Sequence, residues 1–195
     1  MDKKIKKAVL VVISGPSGVG KSTICREVIK RLDDVYLSVS VTTRPKSDSE
    51  TDGKDYWFVS REEFEKKISE GALLEYAEVF GNYYGTPKDK VDQSIAEGKT
   101  VILEIDVQGG QSVKKHYPEA VMIFILPPTQ KHLAQRINGR GREDEKTAKQ
   151  RLGRAEDEIA AAWRHYNNMV INEDLEQAIK EVIEIIKQAT GEQYD

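Results

Sequence analysis

The stretch Ala8-Val-Leu-Val-Val-Ile-Ser-Gly-Pro-Ser-Gly-Val-Gly-Lys-Ser22 decides the fold. Its first part, Ala8–Ser14, is a continuous apolar run, as expected of a strand that is buried on both faces of a parallel sheet. Gly15–Ser22 matches the pattern G-x-x-x-x-G-K-[ST], and Lys21–Leu32 has the pattern of a helix. A strand, a glycine-rich turn and a helix in this order predict a parallel α/β fold with an anion site at the turn.

The residue types in the turn fit the binding of a nucleoside triphosphate. Glycines allow a tight bend in which backbone N–H groups face the anion, where a Cβ would crowd the approach. The Lys21 ammonium can reach the β- and γ-phosphates, and the Ser22 hydroxyl can ligate Mg²⁺. The predicted triphosphate-binding residues are Gly15, Pro16, Ser17, Gly18, Val19, Gly20, Lys21 and Ser22.

Strand and helix patterns alternate at both ends of the chain and change in the middle. Further strands are predicted at 36–41, 100–105, 121–126 and 169–172, and further helices at 108–116, 129–137, 146–166 and 175–188. This alternation predicts a three-layer, doubly wound parallel sheet. Residues 38–97 have shorter strands and more turns, which predicts an inserted lobe of mixed α+β structure. Within it, Thr86-Pro87 predicts the start of a helix.

Composition excludes several classes of protein. The chain has 195 residues, which fits one core domain, and no apolar run approaches the ~18 residues that span a bilayer. A formal net charge of −3 argues against a globally basic nucleic-acid binder. Cys25 is the single cysteine, so no intramolecular disulfide can form, and a reducing compartment is favoured. We expect a cytoplasmic protein without a membrane or nucleic-acid partner, and its oligomeric state stays open.

Several side chains in the lobe are candidates for a second anion site, although each has an alternative. Arg44 ends a predicted strand and offers a planar fork to a phosphate, or forms a surface ion pair. The Tyr56 and Tyr84 hydroxyls can reach phosphate oxygens, or the rings serve only for packing. Glu75 lies in a predicted strand and faces either solvent or a pocket.

A set of motifs, in their order and spacing, resembles the guanylate kinase family over about residues 9–186. The motifs are the phosphate loop 14–22, Thr42-Thr-Arg44, Gly53-Lys-Asp-Tyr56, Gly81-Asn-Tyr-Tyr-Gly85, Ile105-Asp-Val-Gln-Gly109 and Gly139-Arg-Gly141. The resemblance implies a P-loop kinase core (about 1–37, 98–137 and 167–195), a GMP-binding lobe (about 38–97) and a helical lid (about 138–166). It further implies that the γ-phosphoryl group of ATP is transferred to GMP, and to dGMP, in purine nucleotide metabolism, with Mg²⁺ as cofactor.

The resemblance also implies a role for individual residues. Those facing guanine would be Ser40, Glu75 and Asp106. Those at the GMP phosphate would be Arg44, Tyr56 and Tyr84, with Glu50 and Thr86 nearby. The catalytic cations would be Lys21, Arg44, Arg140 and Arg151. Ser22 and Glu104 would hold the metal, the latter directly or through water, and Asn172 would lie near the adenine of ATP.

The chemistry of guanine agrees with these roles. Guanine presents N1–H and N2–H₂ donors beside an O6 acceptor, so a carboxylate such as Glu75 can accept two parallel hydrogen bonds and the Ser40 hydroxyl can donate to O6. Adenine lacks those donors and would leave the carboxylate unpaired. Two alternatives remain: a kinase for another nucleoside or sugar phosphate, and a phosphopeptide-binding module, which would lack a working phosphate loop.

Two positions depart from the family pattern. Ser47 stands where the family usually has a second phosphate-binding arginine, and Arg142 stands where threonine is common. Lys46 is the candidate to supply the charge missing at position 47. The competing interpretation is that Arg44, Tyr56 and Tyr84 suffice and that Lys46 is a solvated loop residue.

Overall fold

The computed structural model describes residues 7–138 and 145–191, which contain two β-sheets. The larger sheet has five parallel strands. In spatial order they are β2 (Val35–Leu37), β7 (Thr100–Glu104), β1 (Leu10–Ser14), β8 (Val121–Leu126) and β9 (Asn168–Ile171). The first strand is central because later strands were added on both of its sides, which is the order of a doubly wound sheet.

Helices cover both faces of the larger sheet and give it two separate cores. One face carries α1 (Lys21–Arg31) and α7 (Leu175–Thr190), and the other carries α3 (Lys88–Ala96), α4 (Val107–His116) and α6 (Glu145–His165). Along β1, Val11 and Ile13 belong to the first core and Val12 to the second. The apolar run at 8–14 is therefore continuous because both faces are covered, and the predicted three-layer fold is confirmed.

The smaller sheet lies within residues 41–87 and mixes parallel and antiparallel pairs. In spatial order its strands are β4 (Trp57–Phe58), β3 (Val41–Thr42), β6 (Asn82–Pro87) and β5 (Leu73–Val79). Helix α2 (Arg61–Ser69) packs Phe64 against the ring of Tyr83, with 5.3 Å between centroids. Ser60 and Glu63 cap this helix reciprocally. The remaining described helix is α5 (Gln130–Asn138).

Two sequence predictions of local structure are wrong. The strand predicted at 36–41 is two strands in different sheets, because β2 ends at Leu37, β3 begins at Val41, and the chain crosses between the sheets at 38–40. The helix expected to start at Thr86-Pro87 begins at Lys88. Pairing of β6 with β5 uses both residues as strand, which outweighs their local preference for a helix start. The other strands and helices whose ranges were predicted begin and end within two residues of expectation. The division into core, lobe and lid stays a prediction.

Cys25 lies inside α1 and is fully buried in the core shared with α7. Burial raises the pKa of its thiol well above the ordinary value. The side chain therefore serves as a small packed residue. Among the described residues, no helix is long and apolar enough to span a membrane.

Candidate active site

The phosphate loop connects β1 to α1 with its backbone shaped for an anion. Gly20, with φ 107°, is the N-cap residue of α1. No described side chain caps the first turn of this helix, so the N–H groups of that turn point to the loop. A Cβ on Gly20 would lie 2.6 Å from Asn172 Nδ2, which explains the glycine. Lys21 Nζ donates to the carbonyl oxygens of Gly15 (2.5 Å) and Pro16 (3.2 Å), and these bonds hold the ammonium over the loop.

Asn172 supports the loop from behind. It follows β9, is 4% exposed, and its Nδ2 donates to the Val19 carbonyl oxygen at 2.7 Å. This contact assigns Asn172 a part in holding the loop. Its predicted place beside adenine stays a prediction.

The residues predicted to hold Mg²⁺ meet at the head of the loop. The Ser22 hydroxyl, at the start of α1, donates to Glu104 Oε1 at 2.6 Å, and Glu104 ends the neighbouring strand β7. A hydroxyl and a carboxylate beside a phosphate loop are the hard oxygen ligands that Mg²⁺ takes together with substrate phosphates and water. The donor set therefore fits the ion.

A cavity of about 320 Å³ joins the phosphate loop to the smaller sheet. Most of the predicted site residues that the structure describes line this cavity: Gly15, Ser17, Gly18, Gly20, Lys21, Ser22, Ser40, Tyr56, Glu75, Tyr84, Glu104 and Asp106. The others, Pro16, Val19, Arg44, Glu50, Thr86 and Asn172, lie outside the lining. Arg140 lies outside the described residues, and Arg151 is in α6 with its side chain outside the description.

Glu75 brings a buried carboxylate into the cavity. It lies in β5 and is 6% exposed, so the solvent-facing alternative is excluded. Thr86, its partner in β6, donates its hydroxyl to Glu75 Oε1 at 2.6 Å. Burial raises the pKa of Glu75 to about 7, the hydrogen bond from Thr86 lowers it, and the charge of Asp106 raises it. Glu75 is therefore poised to accept hydrogen bonds once it is ionised.

Arg44 forms a two-bond ion pair with Glu50. The distances are 2.6 Å from Nη2 to Oε1 and 3.0 Å from Nη1 to Oε2. The guanidinium carbon also lies 5.4 Å from the ring centroid of Tyr56. The hydrogen bond from Arg44 is the main cause that lowers the pKa of Glu50 to about 2. The ion-pair alternative for Arg44 is thus observed, and its role at a phosphate stays a prediction.

Ser47 and Lys46 organise the same loop. The Ser47 backbone N–H and hydroxyl both donate to Glu50 Oε2, at 2.9 and 2.7 Å. Lys46 Nζ donates to the carbonyl oxygens of Glu50 (3.0 Å) and Ser47 (3.5 Å). Ser47 therefore positions the carboxylate that positions Arg44, and the Lys46 charge stays in this loop.

Asp106 caps α4 and also faces the cavity. Its Oδ1 accepts from the Gly109 backbone N–H at 2.8 Å, and its Oδ2 accepts from Arg154 Nη2 at 3.2 Å. Glu75 approaches the same turn, since a Cβ on Gly109 would lie 2.5 Å from Glu75 Oε2. Two carboxylates that line the cavity thus lie on either side of Gly109.

Three residues in or beside the site were not predicted from the sequence. Arg154 and Glu158 of α6 line the cavity and pair with each other at 3.1 Å. The Tyr166 hydroxyl donates to Ser14 Oγ at 2.7 Å and anchors the end of α6 to β1. The arginine-rich segment 136–154 and the four-residue spacing of Arg154 and Glu158 were available as signals, whereas the Tyr166 contact depends on tertiary structure alone.

One cavity is therefore lined both by the phosphate loop and by carboxylate side chains. This arrangement defines a P-loop nucleotide-binding protein. The family model described as guanylate kinase matches residues 7–189. A guanylate kinase of Clostridium acetobutylicum is 51% identical over 181 residues, 93% of this chain and 86% of that protein, and one of Carboxydothermus hydrogenoformans is 48% identical over 90% and 86%. The crystal structure of guanylate kinase from Anaplasma phagocytophilum aligns with a TM-score of 0.79 at 33% identity, over 96% of this chain and 88% of that one. The chain belongs to the guanylate kinase family.

Proposed function

We propose that the protein transfers the γ-phosphoryl group of ATP to GMP, and to dGMP, giving ADP and GDP or dGDP. Family membership supports the reaction class. The observation that carries the choice of acceptor is Glu75, a buried carboxylate in the same cavity as the phosphate loop. A base with two adjacent N–H donors satisfies that carboxylate, and a base without them leaves it unpaired at a high cost.

The acceptor is oriented by residues on both sheets. Glu75 accepts from guanine N1–H and N2–H₂, Ser40 donates to O6, and Asp106 faces the same base. Arg44, fixed by Glu50, and the Tyr56 and Tyr84 hydroxyls hold the GMP phosphate. These roles rest on the cavity lining and on the fixed orientation of Arg44.

Transfer itself depends on positioning and on neutralising charge. Lys21 and the α1 N-terminus offset the charge of the ATP phosphates, and Arg140 and Arg151 act on the phosphoryl group in transfer. The attacking group is already an anionic phosphate oxygen, so a strong general base is not required. When bound at Ser22 and Glu104, Mg²⁺ would neutralise charge on the β- and γ-phosphate oxygens.

A coupled spectrophotometric assay with ATP, Mg²⁺ and each of GMP, dGMP, AMP, UMP and CMP tests the proposal. We expect turnover of GMP and dGMP, and little with the other three. Lys21→Ala, purified in parallel, controls for contaminating kinases. Robust turnover of another monophosphate without GMP would indicate a different kinase, and no turnover of any of them would indicate a binding module.

Two further expectations belong to this proposal. A cytoplasmic location is favoured by the single, reduced cysteine, and a small-molecule reaction needs no nucleic-acid partner. The oligomeric state stays open, and size-exclusion chromatography with light scattering would determine it.

A further inference from the structure

Arg154 connects three parts of the molecule at the mouth of the cavity. Its Nη2 donates to Asp106 Oδ2 on α4 at 3.2 Å, and its Nε donates to Glu158 on its own helix at 3.1 Å. Its guanidinium carbon lies 5.1 Å from the ring centroid of Phe80, in the turn between β5 and β6. A single side chain therefore joins α6, the α4 cap and the smaller sheet.

Phe80 adopts a backbone conformation that is costly for its residue type. Its φ is 51°, and Gly81 follows at 76°, so both residues of this two-residue hairpin turn are left-handed. Glycine or asparagine usually occupies such positions, and a bulky side chain there marks a strained site. The ring is 50% exposed and lines the cavity, so core packing does not account for it. The contact between the ring and the Arg154 guanidinium explains an aromatic side chain at this strained position.

Asp106 lies between a second carboxylate and a cation. Asp106 and Glu75 approach the same glycine, since a Cβ on Gly109 would lie 3.4 Å from Asp106 Oδ1 and 2.5 Å from Glu75 Oε2. The charge of Asp106 opposes ionisation of Glu75, because it raises the pKa of that carboxyl. Arg154 supplies the opposite charge and fixes the second oxygen of Asp106, while the Gly109 N–H fixes the first.

We propose that Arg154 is a positioning residue for GMP, which holds the Asp106 carboxylate toward the guanine pocket and clasps α6 to the smaller sheet through Phe80. This inference rests on the proposed function, because it needs guanine in the pocket that Asp106 and Glu75 share. None of the three contacts involves the phosphate loop. Loss of Arg154 therefore weakens the use of GMP and leaves the binding of ATP nearly unchanged.

Steady-state kinetics of Arg154→Ala, Arg154→Lys and a matched control test this role. Arg164→Ala is the control, because Arg164 is exposed in the last turn of the same helix. We expect Arg154→Ala to raise the KM for GMP about 5- to 20-fold, with the KM for ATP within about twofold of the wild type. Arg154→Lys keeps a charge beside Asp106 and should recover part of the loss. Arg164→Ala should match the wild type.

A double-mutant cycle separates the clasp from a general effect on folding. If Arg154 and Phe80 act together, Arg154→Ala should raise the KM for GMP less in a Phe80→Leu background than in the wild type. Phe80→Leu keeps apolar bulk and loses the aromatic face. Thermal unfolding of every variant is recorded alongside, and we expect midpoints close to that of the wild type.

Given a wild type that phosphorylates GMP, three results would overturn the assignment. One is a KM for GMP in Arg154→Ala within twofold of the wild type. Another is a parallel rise in both KM values with a lowered unfolding midpoint, which would show a merely structural role. A third is an equal rise of the KM for GMP on Arg154→Ala in the wild type and in the Phe80→Leu background, which would show that α6 is not linked to the smaller sheet through Phe80. If the wild type itself fails to phosphorylate GMP, the proposed function fails and the role of Arg154 with it.

Discussion

The ionised form of Glu75 is the form that its proposed function requires and also the form that destabilises the fold. Burial raises its pKa from 4.5 to about 7 in the folded protein. The unfolded chain therefore releases this proton at lower pH than the folded one, so the carboxyl destabilises the fold increasingly as pH rises from about 4.5 to 7, and fully above that. The same ionised form is the one that accepts hydrogen bonds from guanine.

We therefore expect Glu75→Gln to lose activity and keep or gain stability. The amide NH₂ opposes the donors of guanine, and losing a charged partner in a closed pocket costs on the order of 1.5–3 kcal/mol, so kcat/KM for GMP should fall about 10- to 100-fold. Urea unfolding at pH 8 should show an equal or larger free energy of unfolding, with the KM for ATP as the internal control. Unchanged kcat/KM for GMP would show that Glu75 does not contact the base.

The hydrogen bond from Thr86 gives a test of the Glu75 titration. In the wild type, kcat/KM for GMP should rise with pH through about 7 as Glu75 ionises. The Thr86 hydroxyl lowers the pKa of Glu75, so Thr86→Val should move the midpoint of this rise to higher pH.

The control for that comparison is the substrate itself. The GMP phosphate titrates near pH 6, but equally for both proteins, so the difference between the two pH profiles reports Glu75. Identical midpoints would exclude Glu75 as the titrating group.

Lys21 has its ammonium held over the phosphate loop by two carbonyl oxygens. We expect Lys21→Ala to lower kcat about 30- to 1,000-fold or more, because a charge that acts mainly in the transition state is worth about 2–4 kcal/mol or more in kcat. The far-UV circular dichroism spectrum should match the wild type. A folded variant with unchanged kcat would refute the role.

At the scale of elements, the loop 44–50 is organised around Glu50, which accepts hydrogen bonds from Arg44 and Ser47. Lys46 donates to backbone carbonyl oxygens, so its charge adds to the positive potential beside Arg44. We expect Lys46→Ala to raise the KM for GMP by about 1 kcal/mol, roughly fivefold, and to reduce its dependence on salt. Initial rates at two salt concentrations measure both, with the KM for ATP unchanged. If neither the KM for GMP nor its dependence on salt changes, Arg44, Tyr56 and Tyr84 suffice to hold the GMP phosphate.

Local patterns predicted the elements of the larger sheet because burial on both faces leaves an unbroken apolar signal, as in 10–14. They failed where tertiary pairing decides. Thr86 carries a helix-start signal, but β6 needs it opposite Glu75. The separation of β2 from β3 was invisible because the alternation of side chains continues across the change of sheet. Most site residues came from the ordered motifs. Arg154 lies outside every motif, and its contacts with Asp106 and Phe80 join residues that are 48 or more positions apart in the sequence.

At the scale of the whole molecule, the cavity lies between the two sheets, and an ion pair links elements on its two sides. Arg26 of α1 forms an ion pair with Asp55 of the smaller sheet's region at 2.8 Å. The Arg26 side chain is 61% exposed, so this pair is worth at most about 1 kcal/mol. Leu74 of β5 packs against the core that α3, α4 and α6 form on the larger sheet, so apolar packing joins the two sheets more strongly than this ion pair.

Cys25, the single cysteine of the chain, can report local opening of helix α1. Cys25 lies in the helix that presents the phosphate loop, fully buried and with a raised thiol pKa, so a disulfide reagent can modify it only when that helix departs from the sheet. The rate of modification by the reagent therefore reports how readily helix α1 separates from the larger sheet. A non-hydrolysable ATP analogue at 100 times its Kd should slow labelling about 100-fold, and urea should make it immediate. Equal rates with and without the analogue would mean that the helix opens without disturbing the nucleotide site.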